Sequence, residues 1–270
     1  MSSPTLTQRT IPLAAFTGLR AHRVLERNVL VYRRLWKIFI SGFAEPVFYL
    51  LAIGIGVGVL VGDVELASGQ LVPYTVFVAP ALLGASAMNG AIYESTFNIF
   101  FKLKYNKTYD AMLATPLRPV DIAVGEISWS LIRGGAYAIG FIVVMLGFGL
   151  VESWWAVLAV PAALLIGLAF GSVGMAATSF MRSWQDFDMV QLVSLPLFLF
   201  SATFYPLEVY PLPIQQFTRI SPLYHGVELI RGLTVGALDW SMIGHAGFLI
   251  VMAAIGMTIA ARRLEKLLLT

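Results

Sequence analysis

The chain of 270 residues has no cysteine, so disulfides are excluded and the redox compartment is left unmarked. Charge is the second scarcity. Only 12% of residues are Asp, Glu, Lys or Arg, against 58% hydrophobic, whereas a soluble domain carries roughly a quarter charged residues on its surface. Mean hydropathy is +0.80. An unusually apolar soluble protein is the alternative reading, and segment length opposes it. A core helix seldom holds more than about a dozen apolar residues in a row, while a bilayer needs ~20, and several segments reach that length.

Motifs for catalysis are also missing. The three histidines, His22, His225 and His245, fall in no metalloprotease pattern. Gly171-Ser172-Val173-Gly174 lacks the spacing of a nucleophile elbow and reads as small residues for helix packing. The glycine run at 54–62 contains no lysine, so no phosphate-binding loop exists and the chain cannot hydrolyse ATP alone. No catalytic residue and no metal ligand is assigned. The Ile11–Leu19 stretch is short, holds Pro12 and precedes a basic segment. That is the reverse of a secretory signal, and no cleavage is expected. No inverted internal repeat of the secondary-transporter kind is present.

What is there is an all-α integral membrane pattern with six expected spans. Residues 1–37 form a tail ending in an amphipathic helix (20–37), with Val24, Leu25, Val29, Tyr32, Leu35 and Trp36 near helical period between arginines. Such a helix lies in the headgroup layer. Residues 38–270 form the membrane domain: spans at 38–61, 73–100, 122–150, 155–181, 189–205 and 242–261. The basic loop 101–121 contains a short helix near Lys107–Leu113, and Thr115-Pro116 and Arg118-Pro119 end regular structure there. Residues 206–236 lack an apolar run of ~20 and carry Pro206, Pro211, Pro213 and Pro222. They fit a re-entrant hairpin of two short helices, tolerated at membrane depth only where protein or water covers the backbone.

Lys and Arg set the orientation. Arg9, Arg20, Arg23, Arg27, Arg33, Arg34 and Lys37 precede the first span. Lys102, Lys104, Lys107 and Arg118 follow the second, Arg182 the fourth, and Arg262, Arg263 and Lys266 the last. Only Arg219 and Arg231 fall on the other side. The positive-inside rule places both termini in the cytoplasm and the hairpin outside.

Ionisable groups within spans are functional candidates by default. Glu45, Glu94, Glu126 and Arg133 qualify. Glu126 and Arg133, two helical turns apart, share one face, and a structural ion pair or a water-lined cytoplasmic helix end outranks a proton relay. An outer cluster of Glu208, His225 and Glu228 is the single set of groups that a lipid-modifying membrane enzyme could use.

Three stretches resemble the ABC-2 class of ATP-binding-cassette permeases, and within it the nodulation-factor (lipo-oligosaccharide) export permeases. They are AEPVFYLLAIGIGVGVLVG (44–62), Tyr93-Glu94-Ser95 with YDAMLATPLRPVDIAVGE (109–126), and PLFLFSATFYPLEVYP (196–211) continuing to ISPLYHGVELIRG (220–232). The resemblance covers essentially the whole chain. It implies the type V exporter fold in a bacterial inner membrane, with two permease copies or paralogues and two cytoplasmic ATPase subunits that hold ATP and magnesium. This chain would hold no cofactor and no nucleic acid. The substrate would be an amphipathic lipid-linked oligosaccharide or, alternatively, a hydrophobic antibiotic as in daunorubicin-resistance permeases. The coupling helix would comprise Lys107, Thr108, Tyr109, Asp110, Met112, Leu113, Thr115 and Arg118, with a second contact at Arg182–Asp188. The hairpin, with Pro206, Glu208, Pro211, His225, Glu228 and Arg231, would cap the outer end of the path.

Overall fold

The computed structural model describes residues 20–33, 44–66 and 69–269. The remaining residues, which include Ile11–Leu19, the end of the expected amphipathic helix and the start of the first span, lie outside the described set. The helices are α1 (Ala21–Arg33), α2 (Ala44–Val61), α3 (Tyr74–Tyr105), α4 (Thr108–Leu113), α5 (Pro119–Gly147), α6 (Trp154–Thr178), α7 (Phe187–Leu199), α8 (Leu212–Ile220), α9 (Pro222–Val235) and α10 (Ser241–Leu269). Among the described residues, five of these are long and apolar enough to cross a membrane: α2, α3, α5, α6 and α10. A short antiparallel hairpin, Asp63–Glu65 with Leu71–Pro73 in the register Val64↔Val72, joins α2 to α3.

Several helix ends depart from the sequence expectation, each for a local reason. Helix α3 continues past Phe100 to Tyr105, so 101–105 is helix rather than loop. It is held by rings of Phe97, Phe101 and Tyr105 packed 4.7 and 5.1 Å apart and by an ion pair from Lys102 described below. Helix α5 opens at Pro119 rather than Ile122. Proline suits the first helical position because its missing N–H would have no partner there. Asp121 then accepts from the Arg118 backbone N–H at 3.1 Å and from its Nε at 3.2 Å. Arg118-Pro119 therefore starts a helix instead of ending structure.

Helix α7 has 13 residues, about 20 Å of rise against a hydrocarbon core of ~30 Å. It runs through Pro196 and breaks at Phe200. The irregular stretch 200–205 is buried at Ser201–Phe204 and turns at Ala202, whose φ is 53°. Its backbone is satisfied by side chains. Thr218 Oγ1 donates to Phe200 O at 2.7 Å, and Arg231 Nη2 donates to Ala202 O at 2.8 Å. Helices α8 and α9 thus cover the break, as buried irregular backbone requires.

The main core joins the first half of α3 to α6 and α9. Gly226 of α9 lets Ile166 of α6 approach so closely that a Cβ would sit 2.6 Å from it. Helices α6 and α10 cross tightly at Gly256, where a Cβ would meet the Val173 nitrogen at 2.7 Å. A second core gathers Val24, Ile99, Tyr109, Met112, Ile122, Ile127, Met175 and Leu264. These come from α1, α3, α4, α5, α6 and α10, so α1 and α4 sit at the same end of the bundle. Lys104, Lys107, Arg118, Arg182, Arg262 and Arg263 lie on the segments that converge there.

Candidate functional site

Between α1, α3 and α5, at the α4 end of the bundle, lies a buried polar network. Helix α3 presents Glu94, Asn98 and Lys102 at a spacing of four residues, one face of a helix. Helix α5 presents Glu126, Trp129, Arg133 and Tyr137 at spacings of three and four. Each helix carries its acid before its base, and because the neighbouring helices run in opposite directions the signs oppose in space. Glu94 Oε2 therefore meets Arg133 Nη2 at 2.8 Å, and Lys102 Nζ meets Glu126 Oε2 at 2.7 Å. The two pairs lie about 12 Å apart along α3.

Neutral side chains add hydrogen bonds to both carboxylates, while Glu126 Oε1 has no hydrogen-bond partner among the described residues. Glu94 Oε1 accepts from Asn98 Nδ2 at 2.8 Å and from the Tyr32 hydroxyl at 3.3 Å. Asn98 also donates to Tyr32 at 2.7 Å. The Arg133 guanidinium lies 5.4 Å from the centre of the Tyr32 ring, which packs 5.1 Å from Trp129. Glu126 Oε2 takes a second hydrogen bond from Asn28 Nδ2 at 3.1 Å. Four buried charges of balanced sign, each in an ion pair, offset one another's desolvation, the first condition for burying ions. Every acid here has a base against it, which does not suit a proton path.

The network reaches the short helix α4. Tyr109 is 1% exposed, and its hydroxyl lies against the Glu126 carboxylate. Burial, and then the Glu126 charge, push the phenol well above its usual pKa, so it stays a donor at physiological pH. Met112 points the same way, into the second core. Lys107, Asp110, Thr115 and Arg118 remain exposed, with Thr108 and Leu113 half-buried. Helix α4 thus has an outward face and an anchored inward face. Lys107 turns the chain into it at φ 46°. Thr115 Oγ1 closes its end on Met112 O at 2.5 Å, and Arg20, just before α1, donates to Pro116 O. The N-terminal helix also buries Ala21, Val24, Asn28 and Tyr32 against α5. At Gly125 a Cβ would stand 2.6 Å from Val24.

Three of the four residues expected inside the membrane are therefore brought together, but with a different pairing. Glu126 does not bond Arg133, because both stand on α5, two turns apart; each pairs with α3. Glu45 is separate. It is exposed and lines a cavity of about 670 Å³ bounded by α2, α3, α5 and α7. Ser86, Asn89, Arg133, Asp188 and Gln191 join Glu45 as its polar groups, and Tyr49, Tyr93, Phe97, Tyr137, Trp184, Phe187 and Phe198 supply its rings. Sequence reasoning did not assign Asn28, Tyr32, Asn98 or Lys102 to a site. The legible signal was the 94/98/102 stripe, which has the same acid-then-base order as 126/133, so that antiparallel helices bring opposite charges together.

The outer residues do not converge. Nδ1 of His225 lies 2.7 Å from Nδ1 of His245 on α10, and the His225 ring stacks on Phe248 at 4.2 Å. Glu228 is paired with Arg231. Arg231 is buried, holds Phe77 O at 3.3 Å and lies 3.9 Å from the Phe77 ring centre. It pins α9 to α3. Glu208 is exposed in the turn after Pro206, and Pro211 leads into α8. Among the described residues no three His, Cys, Asp or Glu side chains are grouped to hold a metal.

Residues 21–235 match the family profile described as ABC-2 type transporter. The chain is 33% identical over 257 residues to Nodulation protein J of Rhizobium leguminosarum bv. viciae, covering 93% of this chain and 96% of that protein. It is 32% identical to the protein of the same name from R. leguminosarum bv. trifolii, covering 91% and 93%. It is 30% identical to that of Rhizobium meliloti strain 1021, again covering 91% and 93%.

Proposed function

The chain belongs to the ABC-2 type transporter family, and from that membership we propose that this multi-pass membrane protein is the permease subunit of an ATP-driven exporter of amphipathic, lipid-linked oligosaccharides. Two copies, or this chain and a paralogue, pair in the bacterial inner membrane. Each binds one cytoplasmic ATPase subunit, which holds ATP and magnesium. Helix α7 with residues 200–205 makes the sixth crossing, both termini face the cytoplasm, and α8 and α9 form the re-entrant cap outside, in the type V arrangement.

The observation that carries this reading is the anchoring of α4. Its outward face, with Asp110, is free for a partner among the described residues, while Tyr109 on its inward face abuts the Glu126–Lys102 pair. A displacement of α4 by an ATPase is passed to α3 and α5 through stiff, desolvated contacts, and through Asn28 to α1. The polar groups and rings facing the 670 Å³ cavity suit an oligosaccharide. The same rings, with the carboxylates of Glu45 and Asp188, favour as second reading a cationic aromatic drug of the daunorubicin type.

The test is co-purification with the ATPase subunit followed by reconstitution into vesicles. ATP-dependent translocation of a fluorescent glycolipid, absent with a non-hydrolysable nucleotide, is expected. Translocation that proceeds without the ATPase subunit rejects the proposal. Translocation of a cationic anthracycline in place of the glycolipid selects the second reading.

A further inference from the structure

Helix α7 has open space on two sides. In front lies the polar and aromatic cavity. Behind it lies a second cavity of about 620 Å³, between α7 and the helices α3, α6 and α10. Its wall is apolar almost throughout, with Phe170, Val173, Ala177, Val193, Leu197 and Met252 as its main surfaces. The two α7 stripes that face these spaces stand about 200° apart around the helix, as Gln191 and Val193 illustrate. The helix is a divider with Ser194 as its one buried residue.

The two cavities share four wall residues, Ile92 and Thr96 on α3 with Val190 and Ser194 on α7. These mark a slot where the spaces meet. Both slot hydroxyls are turned back on their own helices: Thr96 Oγ1 donates to Ile92 O at 2.6 Å, and Ser194 Oγ donates to Val190 O at 2.8 Å. A hydroxyl spent this way presents carbon to the slot and asks for no polar partner. The slot therefore admits a hydrocarbon chain. A sugar ring would leave its hydroxyls unbonded in the rear cavity, which is a steep desolvation cost. Each space falls within the usual range for ligand pockets, about 300–1,000 Å³.

We propose that the rear cavity is a binding site for a single acyl chain of the exported amphiphile, whose headgroup occupies the front cavity, with α7 held between them. The assignment rests on the export reading above and adds a chain-length requirement to it. A short-chain amphiphile fills the front space alone, whereas a long-chain one threads the slot and uses both.

The experiment uses the permease–ATPase complex in vesicles, with hexadecyl maltoside and octyl maltoside as probes. A hexadecyl maltoside carrying a diazirine at the chain end is expected to label Val173, Ala177, Val193 or Leu197, and excess unlabelled hexadecyl maltoside is expected to abolish that labelling. Labelling that favours the outward residues Leu192 and Leu195, or that resists competition, would mean that bulk lipid alone fills the rear space and would overturn the proposal. Ala177→Phe, which narrows the rear cavity, is expected to raise the half-maximal concentration for stimulating ATP hydrolysis about tenfold for the hexadecyl probe and less than about twofold for the octyl probe. Equal changes for both probes would contradict the assignment. If neither glycoside stimulates hydrolysis in the unmodified complex, the export reading fails as well. If both do and competitive labelling still misses the rear cavity, the acyl site alone falls. The labelling arm needs no variant, so a misfolded Ala177→Phe leaves the proposal testable.

Discussion

Replacing Lys102 by methionine removes one partner of a buried ion pair and keeps the side chain's length. Lys102 Nζ lies 2.7 Å from Glu126 Oε2, and the two side chains are 11% and 2% exposed. The direct attraction at that distance is about 6 kcal/mol for an effective dielectric near 20, most of it offset by the cost of desolvating both ions. Removing one partner leaves the Glu126 carboxylate buried with only the Asn28 amide and the Tyr109 hydroxyl against it, which costs about 3–5 kcal/mol. By the usual scaling with size, that lowers the melting temperature by on the order of 10 °C. The double variant Lys102→Met, Glu126→Gln removes the orphan charge, while the amide oxygen can still accept from Asn28. Its melting temperature is expected to return to within a few degrees of the parent, about 1 kcal/mol. Thermal unfolding in detergent, followed by size exclusion, reads all three proteins. The logic is refuted if the single variant melts with the parent, or if the double variant is no better than the single. Transport separates the two roles of the pair. The double variant should hydrolyse ATP yet export less per ATP, because the tie between α3 and α5 has lost its charge.

Three further outcomes follow from particular contacts. Tyr109→Phe keeps the ring in the second core and removes the hydroxyl against Glu126, so melting should fall by about 1 kcal/mol while export per ATP drops, as measured in vesicles. Gly256→Ala places a Cβ 2.7 Å from backbone at the α6–α10 crossing, where no rotamer change can make room, and should destabilise by about 1–3 kcal/mol or more in the same melting assay. Where α9 meets α10, burial and then the neighbouring His245 hold the His225 imidazole below its ordinary pKa. Tyr224, Glu228 and Asp239 are the other titratable groups near the pair. An imidazole held low binds its proton more readily in the unfolded chain. The stability it contributes is thus complete above about pH 6.5 and is lost as pH falls through the lower folded value. Melting of the parent should fall more between pH 7.5 and 5 than that of the His225→Phe, His245→Phe variant, roughly; equal falls would discount the pair.

Much of the architecture was legible because a bilayer imposes length and hydropathy on its helices, and α2, α3, α5, α6 and α10 answer to that rule. The short helix after Lys107 was visible in its flanking turn residues. What sequence alone obscured was where polarity is tolerated. Lys102 reads as a loop residue by charge, and its burial becomes intelligible only when Glu126 is seen opposite. Arg118-Pro119 reads as a stop because proline ends helices, yet it also starts them, and Asp121 decides which. Of the site, Glu94, Glu126 and Arg133 stood out as intramembrane charges. Asn28 and Tyr32 did not, since an amphipathic helix at a membrane surface gives no hint that its polar side chains turn inward. The residues expected for coupling separate into an outward set and an inward pair, Tyr109 and Met112, a division that a six-residue helix conceals until its neighbours are known.

In the proposed exporter, α4 is the point where an ATPase pushes. The chain has no cysteine, so Asp110→Cys introduces a single thiol on the exposed face of α4. In the reconstituted complex, a short thiol-to-amine cross-linker should join this position to the ATPase subunit, and a cysteine at the exposed Tyr205, which the proposed topology puts outside, should yield no such product. Cross-linking from Tyr205 and none from Asp110 would contradict the account.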